Sequence, residues 1–126
     1  MVSETVDRGM TAAALGSGLV DGLATPAMIA LMEAAALKAI ADDLPKGFST
    51  VGTQINVSHV APTPVGMKVT ARAVLEQVDG RRLRFAISAE DEAGPIGKGT
   101  HERVIIELAR FDDRLRTRSP GGAPGA

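Results

Sequence analysis

The feature that most constrains the fold is one strongly apolar, alanine-rich segment, residues 23–37, which carries a single carboxylate, Glu33. Thr25 stands at its front and is followed by proline, a pair typical of a helix N-cap and first helical residue. The stretch "DDLPKG" then supplies the proline and glycine that end a helix. We therefore predict one helix from Thr25 to about Asp42. Because it is apolar nearly all round, a sheet or a partner must cover it.

Four strand-like segments follow this helix, each with alternating apolar and polar residues. They span residues 50–61, 67–78, 81–92 and 96–111, preceded by a weak strand signal at 3–14 and a glycine-rich loop at 16–22. Asp79-Gly80 is a signal for a two-residue hairpin, so we expect the four strands to form an antiparallel meander. The apolar face of such a sheet needs a cover. The sequence thus predicts an α+β hotdog fold, in which an antiparallel sheet wraps around one long central helix, as a homodimer.

Composition excludes several classes of function. With 14 basic and 15 acidic residues the net charge is −1, and three Phe are the only aromatic residues besides two His, so no nucleic-acid partner is expected. The absence of cysteine excludes disulfides and thiolate zinc sites, and the two histidines lack metal-ligand spacing. No membrane partner is expected, because the longest apolar run is too short to span, and the expected location is cytoplasmic. We expect one domain, residues 1–118, and a disordered Pro/Gly tail, residues 119–126.

Glu33 is unexplained by its own helix, because no residue three or four positions away carries the opposite charge. Either it lies on a strip that reaches solvent, or it faces a cleft with a specific partner, and its apolar surroundings favour the cleft. His59 is the expected partner. Strict alternation places it on one strand face with Val51, Thr53, Ile55 and Val57, towards the helix. A satisfied core histidine is the alternative; a Glu–His pair could activate water or assist attack by the carboxylate.

Three further positions could serve a site. Thr25 is first of all an N-cap, but free N–H groups at a helix start also favour an oxyanion. Thr25 and Glu33 lie eight positions apart, about 12 Å along a helix, so a shared site implies a cleft between two subunits. Gly52, inside a strand, indicates a bulge or the close approach of a ligand. His101 receives no role, and the hairpin cluster "DGRRLR" is either a solvated edge or a contact for the phosphates of a large ligand.

Several blocks, in order, resemble the fluoroacetyl-CoA thioesterase-like family of hotdog proteins: "LATPAMIALMEAAA", "VGTQINVSHVAPTPVGMKVTA", "VDGRRLRF" and "GKGTHERVII". The resemblance runs from about Gly16 to Phe111. It implies a homodimer, or a dimer of dimers, that hydrolyses an acyl-CoA thioester. No separate cofactor is implied, since coenzyme A is part of the substrate. The family's catalytic residues fall on Thr25, Glu33 and His59, and its active-site glycine falls on Gly52.

One departure bears on the substrate. The fluoroacetyl-specific enzyme has a longer, phenylalanine-bearing lid before its catalytic threonine, where this chain has "GSGLVDGLA". The helix of that enzyme starts Thr-Gly, whereas the helix of this chain starts Thr-Pro. The resemblance therefore predicts a thioesterase for a small acyl-CoA without the fluorine-selective gate. Two alternatives stay open: a non-catalytic hotdog dimer that binds an acyl-CoA or a small apolar ligand, and a hotdog enoyl-CoA hydratase or dehydratase.

Overall fold

A curled antiparallel sheet packs around one long helix in the computed structural model, which describes residues 1–120. The strands are β1 (Val2–Thr5), β2 (Phe48–His59), β3 (Lys68–Asp79), β4 (Arg82–Asp91) and β5 (Gly94–Glu107). The helices are α1 (Ala12–Leu15), α2 (Thr25–Ile40) and α3 (Leu108–Thr117), with short 3-10 turns at Arg8–Met10 and Ala41–Asp43. The central-helix architecture predicted from the sequence is confirmed.

The strand order is β1-β3-β4-β5-β2, so the predicted four-strand meander is wrong. Only β3, β4 and β5 follow one another; β2 pairs with β5 at the far edge. The cause lies in the proline-containing connection after β2. Its backbone is tied to the segment before α2, since Leu23 N donates to Thr63 O at 2.9 Å and Gly66 N donates to Val6 O at 2.8 Å. The chain is thus led past the start of the helix to β3, which pairs with β1 and β4.

Helix α2 buries one face against the sheet. Met28, Met32 and Ala36 are fully buried there, and each methionine contributes on the order of 1.5–3 kcal/mol through burial. The helix approaches β5 closely at Gly97, where an added Cβ would lie 2.7 Å from the Met28 sulfur. The opposite strip remains partly open, and Leu37 is 39 % exposed. The sheet of one chain therefore covers only part of the apolar helix.

The start of α2 differs from the predicted cap. Ala24 is the N-cap residue and Thr25 is the first helical residue, and no side chain caps the helix. The prediction that Thr25 is the N-cap is wrong, because its hydroxyl is engaged outside the helix, as described below. At the other end the α-helix stops at Ile40, and a 3-10 turn, Ala41–Asp43, continues it to the predicted boundary.

A β-bulge in β2 changes which side chains face the helix. The pairing with β5 shifts between Gly52 and Gln54, which leaves Thr53 as the extra residue. Before the bulge, the inward residues are Thr50 and Gly52; after it, Ile55, Val57 and His59 continue the inward face. The predicted grouping of Val51 and Thr53 with His59 is therefore wrong, since unbroken alternation cannot pass through a bulge.

The remaining boundaries agree with the predictions to within a few residues, with three exceptions. The first strand is only Val2–Thr5, and α1 occupies the end of the predicted segment 3–14. The hairpin loop is Gly80-Arg81, one residue later than predicted, because Asp79 pairs with Arg82. Helix α3 replaces the end of the last predicted strand.

Two further predictions concern the C-terminal tail and the absence of a membrane-spanning helix. Most of the predicted tail, residues 119–126, lies outside the described residues. Within residues 1–120, no helix combines the length and the hydropathy that crossing a membrane requires.

Candidate active site

The first polar pair at the helix–sheet junction joins the start of α2 to the end of β2. The Thr25 hydroxyl lies 2.7 Å from His59 Nδ1. The other ring nitrogen, His59 Nε2, is buried and has no hydrogen-bond partner among the described residues of one chain. A buried ring nitrogen without a partner is costly, so this atom is suited to meet a group from a substrate or from another chain.

The second polar pair lies two turns further along α2. Glu33 Oε2 is 3.6 Å from the NH1 atom of Arg103 on β5, and the side chains are 44 % and 7 % exposed respectively. Burial lowers the pKa of the Arg103 guanidinium, and the Glu33 carboxylate partly opposes that change. Glu33 thus has a cationic partner on one side and remains open to solvent on the other.

Gly52 provides the space in which the Glu33 carboxylate lies. A Cβ added at Gly52 would be 2.9 Å from Glu33 Oε2 and 3.1 Å from Cε1 of His101. Both separations are shorter than ordinary van der Waals contact. The predicted bulge at Gly52 is confirmed, and the backbone there approaches a carboxylate of the same chain.

Arg103 is fixed by three hydrogen bonds. Its Nε donates to Thr50 Oγ1 at 2.7 Å, its NH2 donates to the Thr50 carbonyl at 2.9 Å, and its NH1 lies 3.1 Å from His101 Nε2. His101 is itself 2 % exposed, and its Nδ1 lies 2.8 Å from the Gln54 carbonyl. The guanidinium is thereby held in one orientation, with NH1 nearest to the carboxylate.

The structure therefore brings together different partners from those the sequence predicted. Within residues 1–120 of one chain, His59 binds Thr25, and Glu33 forms its ion pair with Arg103, so the expected contact between Glu33 and His59 is not made. Arg103 was not predicted as a site residue. The available signal was its position: a charged residue two places after His101 on an otherwise apolar strand face.

Metal ligands are not gathered at this site or elsewhere in the described part of the chain. No cluster of three or more His, Asp or Glu within residues 1–120 is arranged to hold a metal ion. The chemistry that the present side chains offer is that of a carboxylate, an imidazole, a hydroxyl and a fixed guanidinium.

The fold and these two polar pairs define a hotdog protein of the thioesterase type, and comparisons with known proteins agree. A model of the family described as fluoroacetyl-CoA-specific thioesterase matches residues 6–109. The chain is 46 % identical over 99 residues, covering 79 % of it and 71 % of the relative, to a fluoroacetyl-CoA thioesterase of Streptantibioticus cattleyicolor. This chain therefore belongs to the fluoroacetyl-CoA-specific thioesterase family, a family of thioester hydrolases, and the predicted resemblance is confirmed.

Solved structures agree with this assignment. The crystal structure of a fluoroacetyl-CoA-specific thioesterase variant in complex with fluoroacetate and CoA aligns with a TM-score of 0.89 at 38 % identity, covering 94 % of this chain and 98 % of that one. A thioesterase superfamily member from Thermus thermophilus aligns with a TM-score of 0.84 at 31 % identity, covering 91 % of this chain and 85 % of that one.

Proposed function

We propose that this protein hydrolyses a small acyl-CoA to the free acid and coenzyme A, and that Glu33 is its central catalytic group. The observation that carries the proposal is the position of Glu33, whose carboxylate lies against Gly52 beside the fixed Arg103 and is 44 % exposed on its open side. A carboxylate that is oriented by a buried cation and still reachable from solvent suits attack on a carbonyl or activation of a water molecule.

The reaction balances along either route. In one, Glu33 takes a proton from water as the water oxygen attacks the thioester carbonyl carbon. In the other, the carboxylate attacks first, and water then cleaves the resulting anhydride. In both, the carbon–sulfur bond breaks and the departing thiolate takes a proton. We assign proton transfer to His59, and the positioning of the acyl group or its oxyanion to Thr25 and the N–H groups at the start of α2.

We further propose that each site is shared between two copies of the chain. Thr25 and Glu33 are separated by about 12 Å along α2, so one chain does not bring them to the same atom. Two features favour a second copy: β2 lies at the sheet edge, with one side free for pairing, and His59 Nε2 lacks a partner in one chain. Glu33 of a second copy would then approach His59, and the pantetheine arm would enter at the interface.

The substrate is proposed to be a small acyl group without strong selection for fluorine. The loop before α2 contains no phenylalanine, and within residues 16–22 the largest apolar side chain, Leu19, is 99 % exposed. We expect similar kcat/KM values for acetyl-CoA and fluoroacetyl-CoA. A preference for fluoroacetyl-CoA of two orders of magnitude or more would contradict this reasoning.

The catalytic assignment is tested by measuring thiol release over a panel of short acyl-CoAs. We expect Glu33→Gln and His59→Asn each to lower kcat by roughly 10²- to 10⁴-fold, the range for loss of an acid–base group. Glu76→Gln, which removes an exposed carboxylate on β3, is the matched control and should retain full activity. Wild-type rates in both site variants would refute the assignment, and binding of acyl-CoA without turnover by the wild type would instead indicate a binding protein.

The shared site is tested by mixing the two inactive variants. If Glu33 and His59 of different copies form one site, a mixed dimer contains one intact site out of two. Refolding equal amounts of Glu33→Gln and His59→Asn together should then restore about a quarter of wild-type activity, because about half of the dimers are mixed. No recovery, with mixed dimers demonstrated by mass spectrometry, would place each site within a single chain.

A further inference from the structure

The strongest feature near the site that has no assigned role is the buried histidine His101. It lies on β5 with 2 % of its surface exposed, and its ring is near Phe85, with 6.2 Å between the ring centres. Both ring nitrogens have partners, and each partner has only one possible role. These roles fix the protonation of the ring.

The Gln54 carbonyl, 2.8 Å from Nδ1, can only accept a hydrogen bond, so Nδ1 carries the proton. The Arg103 guanidinium, 3.1 Å from Nε2, can only donate, so Nε2 must present its lone pair. The ring is therefore the neutral Nδ1–H tautomer. A protonated His101 would direct an N–H at the Arg103 cation in a buried place.

We propose that His101 is a positioning residue for the reaction, which acts by holding Arg103 NH1 next to Glu33. Of the three bonds to the guanidinium, those from Thr50 fix the Nε and NH2 atoms, and only His101 fixes NH1. NH1 is also the atom 3.6 Å from the carboxylate. Without the Nε2 acceptor, NH1 would lose its hydrogen bond among the described residues, and the planar guanidinium, held by Thr50 only along its Nε–NH2 edge, could tilt NH1 away from the carboxylate.

This proposal rests on the proposed role of Glu33, and it is tested by two variants that each keep one end of the imidazole. His101→Gln keeps an acceptor near the position of Nε2, and His101→Asn keeps a donor near the position of Nδ1. We expect His101→Asn to lower kcat by roughly 10- to 100-fold, as for a small misplacement of a catalytic group. His101→Gln should recover most of that loss, with KM little changed in either variant.

A purely structural role predicts a different result, namely that activity follows folding. Thermal unfolding of both variants is therefore measured beside the kinetics, and equal losses of kcat in Gln and Asn variants of equal stability would overturn the proposal. If the variants do not fold, nitrogen NMR of the wild type decides. Since only two histidines exist, His59→Asn assigns the spectrum, and a proton on Nε2 of His101 at neutral pH overturns the proposal. This reading does not depend on turnover, so it separates failure of this proposal from failure of the proposed function.

A second, independent feature is a basic groove between α3 and the adjoining ends of β2 and β5, with a volume of about 450 Å³. Its lining includes the cationic side chains of Arg81, Arg110 and Arg114, one acidic side chain, Glu107, and the rings of Phe48 and Phe111. Arg81 belongs to the hairpin cluster "DGRRLR" noted in the sequence. Helix α3 adds the other two arginines, and together they outnumber the single carboxylate.

We infer that this groove binds the phosphate-bearing nucleotide end of coenzyme A, an inference that rests on the acyl-CoA substrate of the proposed function. The argument is charge complementarity, because guanidinium groups bind phosphate oxygens well, and the two rings offer a surface on which an adenine can stack.

Binding of free coenzyme A and of pantetheine, measured by calorimetry, tests this inference without any turnover. We expect Arg114→Gln to weaken coenzyme A binding by about two- to five-fold and to leave pantetheine binding unchanged, since exposed charge pairs contribute modestly. Arg118→Gln removes one charge four residues away, outside the groove lining, and is the matched control. Equal effects of the two substitutions, or equal weakening of coenzyme A and pantetheine binding, would overturn the inference.

Discussion

Replacing Gly52 by alanine isolates the geometry of the carboxylate from the stability of the fold. The new methyl carbon would start 2.9 Å from Glu33 Oε2 and 3.1 Å from His101 Cε1. Relaxing the first of these contacts to about 3.5 Å requires the carboxylate to move by at least half an ångström, since C···O contacts become comfortable near 3.4–4.0 Å. The histidine is held at both nitrogens, so the flexible Glu33 side chain must provide most of the movement.

The expected outcome is a loss of activity with little loss of stability. A displacement of this size in a catalytic group costs on the order of 10- to 100-fold in kcat. Overpacking costs about 1–3 kcal/mol, while replacing a strand glycine by alanine recovers roughly 0.5–1 kcal/mol. The net loss in the free energy of unfolding is then between about 0 and 2.5 kcal/mol, or a fall in Tm of at most about 10 °C.

The assay is acyl-CoA hydrolysis beside thermal unfolding. Ser58→Ala, on the outward face of the same strand, serves as the control and should change neither quantity. Full activity of Gly52→Ala would refute the reasoning, as would a crystal structure in which the methyl group fits and Glu33 has not moved.

Three further outcomes follow from the contacts at the site and from one turn. Thr25→Ala should lower activity without the loss of about 1 kcal/mol of stability that is typical of a removed helix cap, because Thr25 does not cap α2. Thr25→Ser should restore the hydrogen bond to His59. Kinetics and Tm measurements check both variants. Arg103→Met should destabilise the protein by about 1–3 kcal/mol in urea unfolding, since it leaves buried acceptors without donors, and should also impair turnover. The hydrogen bond from the Thr63 hydroxyl, with smaller effects from backbone N–H groups, lowers the pKa of Asp91 below its ordinary 3.8. The contribution of Asp91 to stability is therefore present above pH 3.8 and is lost as the pH falls through the lowered pKa. Asp91→Asn should flatten this part of a stability–pH profile.

Much of the architecture was predictable because hydrophobic periodicity is a local property. The apolar run with Thr25 and Pro26 at its front placed α2, and alternation placed Leu83, Phe85 and Ile87 correctly in the core. Strand order was not predictable in this way. It depends on where the connection after β2 is anchored, and those hydrogen bonds join residues far apart in the sequence.

At the candidate site, the contacts between side chains were less predictable from the sequence than the polar residues themselves. Glu33 was correctly singled out as a carboxylate that its own helix does not satisfy, but its partner in the chain is Arg103 rather than His59. His59 faces the helix as predicted, but it ends β2 beside the start of α2 and so meets Thr25, whereas Glu33 lies two turns further along the helix and meets Arg103 on β5. Thr25 looked like a cap because Thr-Pro is common there; its hydroxyl instead binds a histidine 34 residues away.

The bulge at Thr53 also sets how this strand can change in evolution. Because Thr53 is the extra residue, its deletion would restore regular alternation and keep Thr50, Gly52, Ile55 and His59 inward, whereas a one-residue insertion or deletion elsewhere in β2 would turn one half of the strand over. Substitutions along β2 can accumulate one at a time, but a change in its length away from the bulge would put Thr50, which anchors Arg103, and His59, which meets Thr25, on opposite faces. Insertions and deletions in this family should therefore concentrate in the loop before α2 and in the hairpin turns, where they leave the proposed catalytic groups in register.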